Sequence, residues 1–238
     1  TSSVLIFEAA AKALQKVQIS GGGRCNVTNA CWDPIELVPN YPRGQFPLKG
    51  AFSRFATGDT VAWFNERGLE LSFEDDGRIF PKSNSSRDVI KCLQNAADSC
   101  GVICRTKMGV KKVKFLGERG FLLTCIDNNL FYAKKILLAT GSNPTGKTIA
   151  SNLGHELIPP VPALFSFKIK DFCLNICSGI SVENVRLTLL TRNTKFKQEG
   201  KILITHKGFS GPVILKLSSF AARQLYLDKY KSLMHINW

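Results

Sequence analysis

Three consecutive glycines, Gly21 to Gly23, interrupt the segment ISGGGRCNVTN at residues 19 to 29. Glycine permits a backbone with positive φ and lets another molecule approach the main chain closely, at an entropic cost that a packed helix or strand would not tolerate. The side chains around the glycines can form hydrogen bonds. They are Ser20, Arg24, Asn26, Thr28 and Asn29. This pattern predicts a loop that holds a flat or phosphorylated ligand.

Two further segments could contact the same ligand. Val4 to Glu8 is predicted to be a short buried strand that ends in a carboxylate, which suits an acid that accepts hydrogen bonds from the ribose hydroxyls of an adenine dinucleotide in a Rossmann arrangement. Lys135 to Ala139 is predicted to be a strand that leads into Thr140-Gly141, a second place where backbone could approach a cofactor. A solvated strand end at Glu8 and a surface ion pair at Arg24 are the alternatives.

A different motif is typical of proteins that bind a nucleoside triphosphate. Gly141 to Thr148, GSNPTGKT, satisfies the P-loop pattern GxxxxGK[ST] and precedes a predicted helix. A P-loop nucleotidase also needs a strand that ends in a metal-holding aspartate, and Asp228 after Leu225 to Leu227 is a weak candidate. We therefore favour an ordinary strand-to-helix turn.

The cysteines do not form a recognisable redox or zinc motif. Cys25 and Cys31 are separated by five residues, where flavin-linked disulfide reductases have four, and on a helix one extra residue rotates a side chain by about 100°. Cys25 is therefore predicted to be a small buried residue. Eight cysteines in 238 residues, with no CxxC pair, indicate a reduced intracellular setting and no zinc site.

The composition predicts a folded, basic protein. Hydrophobic residues make up 44% of the chain, enough for one large domain or one domain with a smaller second one.

The net charge of +14 favours an anionic partner such as a phosphate-bearing cofactor, nucleic acid or a membrane surface. Because the basic residues are scattered and no nucleic-acid-binding motif accompanies them, we expect no nucleic-acid partner. No apolar run approaches about 20 residues, so we expect a soluble protein with no membrane partner.

Five blocks of this sequence resemble, in family order, the FAD-dependent oxidoreductases of the BaiN or YhiN type, which include aminoacetone oxidase. The blocks are residues 16–30, 76–90, 137–155, 160–169 and 205–218. The resemblance implies an α/β fold, with an incomplete Rossmann-like FAD-binding domain at residues 1–160 and an incomplete, inserted, mainly β domain at residues 161–238. It also implies FAD as the cofactor, NAD(P)H as a candidate electron donor, and a small-molecule substrate.

The resemblance also assigns residues. Glu8 matches the ribose-binding acid, Ser20 to Asn29 match the loop near the flavin, and Thr140-Gly141 matches a turn on the cofactor side. His206, Ser210 and Gly211 match a further family block to which we assign no chemistry. Catalytic residues stay unassigned, since a flavin carries out its own redox chemistry.

The family's opening GxGxxG turn and a later Gly-rich segment do not occur in these 238 residues. We therefore expect a chain truncated at both ends that binds flavin poorly by itself. The competing hypotheses are the P-loop nucleotidase and a cofactor-free basic interaction module that keeps the flavoprotein fold.

We predict that Lys147→Ala leaves the affinity for ATP unchanged and near zero, because the elements around Lys147 have the order of a flavoprotein turn. Equilibrium binding of ATP with magnesium measures this. Magnesium-dependent ATP binding that the substitution abolishes would establish the nucleotidase instead.

Overall fold

The computed structural model describes residues 3–238 and divides the chain into two compact units, Thr1–Leu157 and Ile158–Trp238. Each unit combines helices with strands, so the predicted α/β class is confirmed. The helices are α1 (Gln15–Ile19), α2 (Pro34–Leu37), α3 (Gln45–Phe52), α4 (Thr57–Asn65), α5 (Ser86–Ser99), α6 (Pro144–Asn152) and α7 (Pro212–Leu227). The strands are β1 (Leu5–Phe7), β2 (Thr28–Asn29), β3 (Leu71–Phe73), β4 (Arg78–Pro81), β5 (Ile103–Arg105), β6 (Val110–Phe115), β7 (Phe121–Cys125), β8 (Leu130–Ala133), β9 (Phe167–Lys168), β10 (Ser181–Leu190), β11 (Lys195–Thr205), β12 (Gly208–Ser210) and β13 (Leu233–Asn237).

The first unit contains a parallel pair formed by β1 and β5, in which Leu5 lies opposite Ile103. A parallel pair needs a long crossover connection, and the amphipathic helix α5 lies within it. Apolar residues at helical spacing, with Ser85 or Ser86 as the cap, predict a helix over residues 86 to 100. Helix α5 confirms this prediction, and the Ser85 hydroxyl caps it by accepting a hydrogen bond from the Arg87 N–H at 3.3 Å. The pair places Glu8 at the carboxyl end of β1.

A second sheet in this unit supports the glycine-rich loop. Strand β4 pairs with β3 on one side and with β2 on the other. The sequence Asp75-Asp76-Gly77 predicts a hairpin turn, and the antiparallel β3–β4 pair confirms it. Ile79 and Phe80 on β4 are almost fully buried. Because β2 is the end of the glycine-rich loop, the loop is attached to the central strand of a packed sheet.

A third sheet, β6-β7-β8, corrects one prediction. Its core contains Val113 and Leu123, together with Ile149 of α6. Lys135 to Ala139 was predicted to be a strand, but it has no regular secondary structure, and β8 precedes it. The run has the apolar character of a strand, but no strand among residues 3–238 pairs with it and Leu137 is 89% exposed.

The second unit is a five-stranded sheet, in the order β13-β10-β11-β12-β9, that packs against α7. The mainly β prediction for this region overlooked α7, which begins at Pro212 and buries one face, including Leu217 and Ala221. Asp228 follows this helix, so its proposed place after a metal-site strand is wrong. The insertion of this unit into a Rossmann domain stays a prediction.

None of the helices in residues 3–238 combines the length and the apolar character that crossing a membrane requires.

We predict that iodoacetamide labels the exposed thiols of Cys100, Cys104 and Cys173 faster than the buried thiols of Cys92 and Cys125. Burial raises the pKa of the Cys92 and Cys125 thiols, so their reactive thiolate forms are disfavoured, and labelling them requires local opening. Peptide mass spectrometry over a time course measures the rates. Equal rates in the folded protein would contradict the described packing.

Candidate functional site

The glycine-rich loop has a left-handed backbone at four positions. The φ angles are 55° at Gly21, 68° at Gly22, 88° at Gly23 and 60° at Cys25. A Cβ atom at Gly21 would lie only 2.8 Å from the Asn26 nitrogen, so this glycine is required by packing inside the loop. At Gly22 and Gly23 a Cβ atom would meet nothing within 4 Å. These two residues therefore leave open space beside the main chain, where a ligand could approach.

The loop is held by its own backbone and by β4. Cys25 is 8% exposed and its N–H donates to the Ser20 carbonyl at 3.0 Å. The Val27 N–H donates to the Ile79 carbonyl at 2.8 Å. The Asn26 amide, oriented with its nitrogen toward β4, donates to that same carbonyl at 3.1 Å. Asn26 therefore shapes the loop, and binding of a cofactor by this side chain stays a prediction.

Arg24 joins the loop to the β3–β4 hairpin. Its Nε donates to Asn84 Oδ1 at 2.8 Å and one Nη donates to Glu74 Oε1 at 2.6 Å. Its guanidinium carbon lies 3.8 Å from the ring centroid of Phe80, at a distance typical of a cation–π contact. We call Arg24, Glu74, Asn84 and Phe80 the Arg24 cluster. These contacts include an ion pair with Glu74, as the alternative prediction for Arg24 expects. Through them the Arg24 side chain holds the glycine-rich loop against the β3–β4 hairpin.

Glu8 lies half-buried at the carboxyl end of β1. Its Oε1 accepts a hydrogen bond from the Ala10 N–H at 2.7 Å, and its own N–H donates to the Arg105 carbonyl at 2.9 Å. Its Oε2 makes no hydrogen bond with any residue in 3–238. The carboxylate therefore keeps one oxygen for a ligand, at the strand end where open α/β sheets bind cofactors.

The Thr140-Gly141 turn lies beside α1, the helix that leads into the glycine-rich loop. Gly141 has a φ of 60°, and a Cβ atom there would lie 3.1 Å from Lys16 Nζ. Both residues of the turn are exposed. The structure thus brings two of the three predicted segments, the loop and the turn, close to the same short helix.

The P-loop pattern does not form a phosphate cradle. The Thr145 N–H, at the start of α6, donates to Asn143 Oδ1 at 2.8 Å, so a side chain already satisfies this amide. Pro144 has no N–H to offer. Gly146 is buried, and a Cβ atom there would overlap the Thr140 side chain. Helix packing therefore explains this glycine.

The two cysteines of the loop region are separate free thiols. Cys25 is buried, as predicted. Burial raises the pKa of the half-buried Cys31 thiol, and the nearby negative charges of Glu36 and Asp33 raise it further. A thiol of raised pKa is a poor nucleophile for disulfide exchange.

The His206 block forms a corner in the second unit. Gly211 has a φ of 94°, and a Cβ atom there would lie 2.8 Å from the Leu203 nitrogen, so the corner between β12 and α7 requires glycine. The Ser210 and Ser166 hydroxyls are 2.7 Å apart. His206 is exposed. These contacts give Gly211 and Ser210 structural roles.

Sequence reasoning missed a cavity of about 360 Å³ at the end of the glycine-rich loop. Its walls come from β2, α2, α3, the start of α4 and the segments between them, so no single motif could have revealed it. The lining residues are Val27, Thr28, Asn29, Leu37, Tyr41, Phe52, Phe55, Ala56, Thr57 and Thr60. Because Thr28 and Asn29 belong to the loop, the cavity and the candidate cofactor site share a wall.

Similar proteins identify the fold family. The profile of the HI0933-like protein Rossmann domain matches residues 1–202. A ribosomal RNA dihydrouridine synthase of Haemophilus influenzae is 28% identical over 92% of this chain and 55% of its own length. A 3-dehydro-bile acid delta(4,6)-reductase of Clostridium scindens is 28% identical over 96% of this chain and 56% of its own length. The ribosomal RNA dihydrouridine synthase of Escherichia coli is 27% identical over 91% of this chain and 54% of its own length.

The chain thus spans about half the length of the curated relatives it matches. Glycine oxidase from Geobacillus kaustophilus matches 99% of this chain and 76% of its own chain at a TM-score of 0.36 and 11% identity. The match to the family profile covers most of the chain and agrees with the motifs at residues 16–30 and 76–90. The chain belongs to the HI0933-like Rossmann-domain family, the BaiN/YhiN type.

Proposed function

We propose that this chain binds FAD and belongs to an oxidoreductase that reduces a carbon–carbon double bond conjugated to a ring carbonyl. The single observation that carries the cofactor assignment is the open space beside the left-handed backbone at the exposed Gly22 and the half-buried Gly23. In a Rossmann-domain family, such backbone is suited to close approach by a dinucleotide cofactor.

Different residues of the chain would contact different parts of FAD. The backbone of Gly21 to Gly23 would contact the flavin, and the side chains of Thr28 and Asn29 would donate hydrogen bonds beside it. The Ser20 hydroxyl donates to the Val17 carbonyl at 2.7 Å, so Ser20 would accept a hydrogen bond from the cofactor. Glu8 would accept a hydrogen bond from a ribose hydroxyl through Oε2, since Oε1 already accepts one from the Ala10 N–H. The exposed Thr140-Gly141 turn would contact the cofactor with its backbone. FAD itself, when bound, supplies the hydride-transfer chemistry.

The substrate class is inferred from the chemistry that two relatives' names share. A dihydrouridine synthase forms a ring in which a double bond next to a carbonyl has been reduced, and a delta(4,6)-reductase of a 3-dehydro bile acid reduces ring double bonds conjugated to a ketone. We infer the same reaction here: a hydride adds to one carbon of the double bond and a proton to the other. NAD(P)H is the proposed source of the two electrons.

A nucleic-acid substrate is the specific alternative to our expectation of a small molecule. Two relatives are named for ribosomal RNA, and the net charge of +14 suits an RNA partner. The cofactor-free interaction module is the other alternative, and it predicts a colourless protein.

We predict that the protein expressed from its full coding sequence is yellow and, with NAD(P)H, adds two hydrogens to its substrate. Unmodified ribosomal RNA and a 3-oxo-4,6-diene steroid are the two substrates to compare, with product mass as the readout. Product from RNA alone would replace the small-molecule assignment with a nucleic-acid one. A flavin-free, inactive protein would contradict the proposal.

We also predict that Gly22→Val sharply lowers the FAD content of that protein, because the substitution places a branched side chain where the flavin should approach. Gly101→Val is the matched control, since Gly101 is also exposed, has a φ of 70° and has nothing within 4 Å of a built Cβ. Both substitutions should cost about 1–2 kcal/mol of folding free energy through left-handed strain. Thermal unfolding and released-flavin fluorescence measure the two effects. Equal FAD content in folded Gly22→Val and Gly101→Val proteins would remove the loop from the site.

A further inference from the structure

We infer that the cavity of about 360 Å³ beside the glycine-rich loop binds an uncharged aromatic ring with one hydrogen-bonding group, such as a phenol, and that Thr57 pairs with that group. The inference goes beyond the proposed function, because this site requires neither FAD nor NAD(P)H. It rests on three features of the cavity: an uncharged and mostly apolar lining, aromatic walls with uncovered surface, and a buried hydroxyl that has no partner.

The lining of the cavity excludes charged ligands. No lining residue is an acid, a lysine, an arginine or a histidine, and most are apolar or aromatic: Val27, Leu37, Tyr41, Phe52, Phe55 and Ala56. The charge beside one wall is negative, because the Asp59 carboxylate accepts a hydrogen bond from the Ala56 N–H at 2.7 Å. An anionic ligand would lose its hydration without meeting a cation in the lining, so the cavity selects an uncharged ligand.

The aromatic walls favour an aromatic ligand over an aliphatic one. The ring centroids of Tyr41 and Phe52 are 5.4 Å apart in a tilted pair, and Phe55 lines the same cavity. Tyr41 is 41% exposed and Phe55 is 52% exposed, so both rings keep surface that a ligand can cover. Aromatic rings that meet edge-on or offset attract each other beyond what burial of their area supplies. An aliphatic ring of the same size gains the burial alone.

Thr57 supplies the buried polar group of the lining. It is 2% exposed, whereas Thr28 and Thr60 are half-buried and Asn29 is exposed. The Thr60 hydroxyl donates to the Ala56 carbonyl at 2.9 Å, so its proton is already used. The Thr57 hydroxyl takes part in none of the side-chain hydrogen bonds found among residues 3–238. It is therefore available to a ligand.

The Thr57 hydroxyl is accessible from the cavity. Within residues 3–238, every fully buried side-chain oxygen has a hydrogen-bond partner. Since the Thr57 hydroxyl has none, its oxygen must keep contact with solvent, and Thr57 lines the cavity. A hydroxyl can both donate and accept a hydrogen bond, so it can pair with a phenol. A single buried position of this kind selects a ligand with one polar group and an apolar remainder.

The size of the cavity indicates a small ligand. Its volume of about 360 Å³ lies near the lower end of ligand pockets, which run from about 300 to 1,000 Å³. The probe is therefore 4-ethylphenol. Three analogues each change one feature of it: ethylbenzene lacks the hydroxyl, 4-ethylcyclohexanol lacks the aromatic ring, and 4-ethylbenzoate carries a negative charge.

The test is a ligand-detected NMR titration of the protein from the full coding sequence, without NAD(P)H. We expect 4-ethylphenol to bind about twofold to tenfold more tightly than 4-ethylcyclohexanol, because only the phenol ring makes aromatic contacts. We expect 4-ethylbenzoate to bind more than about tenfold more weakly than 4-ethylphenol, because its charge would be buried without a partner.

Variants locate the binding site. Thr57→Val should weaken binding of 4-ethylphenol about threefold to tenfold, the loss of one neutral hydrogen bond, and leave the affinity for ethylbenzene unchanged. Thr57→Ser keeps the hydroxyl and should restore most of the loss. Thr145→Val is the control in the first turn of α6, outside the cavity. Phe55→Ala should weaken binding of both aromatic ligands, whereas Phe46→Ala, at an 83% exposed position that does not line the cavity, should not.

Thermal melting of each variant checks that it is folded. The inference is overturned if 4-ethylphenol does not bind, if it binds folded Thr57→Val and Thr145→Val proteins equally well, or if 4-ethylbenzoate binds as tightly. These failures are distinguishable from a failure of the proposed function, which would appear as a flavin-free, inactive protein whether or not the phenol binds.

Discussion

The glycine-rich loop depends on keeping four residues in a left-handed backbone, a conformation that costs a residue with a side chain about 1–2 kcal/mol. At Gly21 to Gly23 most of this cost is absent, because glycine has no side chain. Cys25 has a side chain and a φ of 60°, so the full cost applies there. Burial of the Cys25 side chain among Phe64, Leu69, Val89 and Cys92 offsets the strain. The contacts of the Arg24 cluster fix Arg24, the residue before Cys25, against the β3–β4 hairpin. The open backbone at Gly22 and Gly23 exists because its neighbours are held so firmly.

The same anchoring determines where the rest of the site lies. Strand β2 follows the loop and pairs with the buried strand β4, so the positions of Thr28 and Asn29 follow from the position of Ile79. These two residues form one wall of the cavity of about 360 Å³. The loop that we propose as the FAD contact and the cavity share strand β2, so they keep a fixed separation.

Local chemistry explains which features were predictable from the sequence. Three adjacent glycines, a Ser85 cap and an Asp-Asp-Gly turn each specify a backbone conformation within a few residues, and the loop, α5 and the β3–β4 hairpin follow from them. Features set by distant partners were missed. The apolar run at Lys135 to Ala139 has no pairing strand among residues 3–238. The prediction of a mainly β domain overlooked α7, and the cavity of about 360 Å³ combines segments with no common motif. The sequence pattern also could not show that the Asn143 side chain accepts a hydrogen bond from the Thr145 amide, which a P-loop would leave free for a phosphate.

Hydrogen–deuterium exchange tests the central claim, that the backbone of Ser20 to Arg24 is the contact surface for FAD. Exchange is measured on the protein from the full coding sequence after removal and readdition of FAD. We expect the amides of Gly22 and Gly23 to exchange rapidly without FAD and to become protected when it binds, while the buried strand β4 is protected in both states. Unchanged exchange at Gly22 and Gly23 in a sample shown by its spectrum to be loaded with FAD would contradict the account.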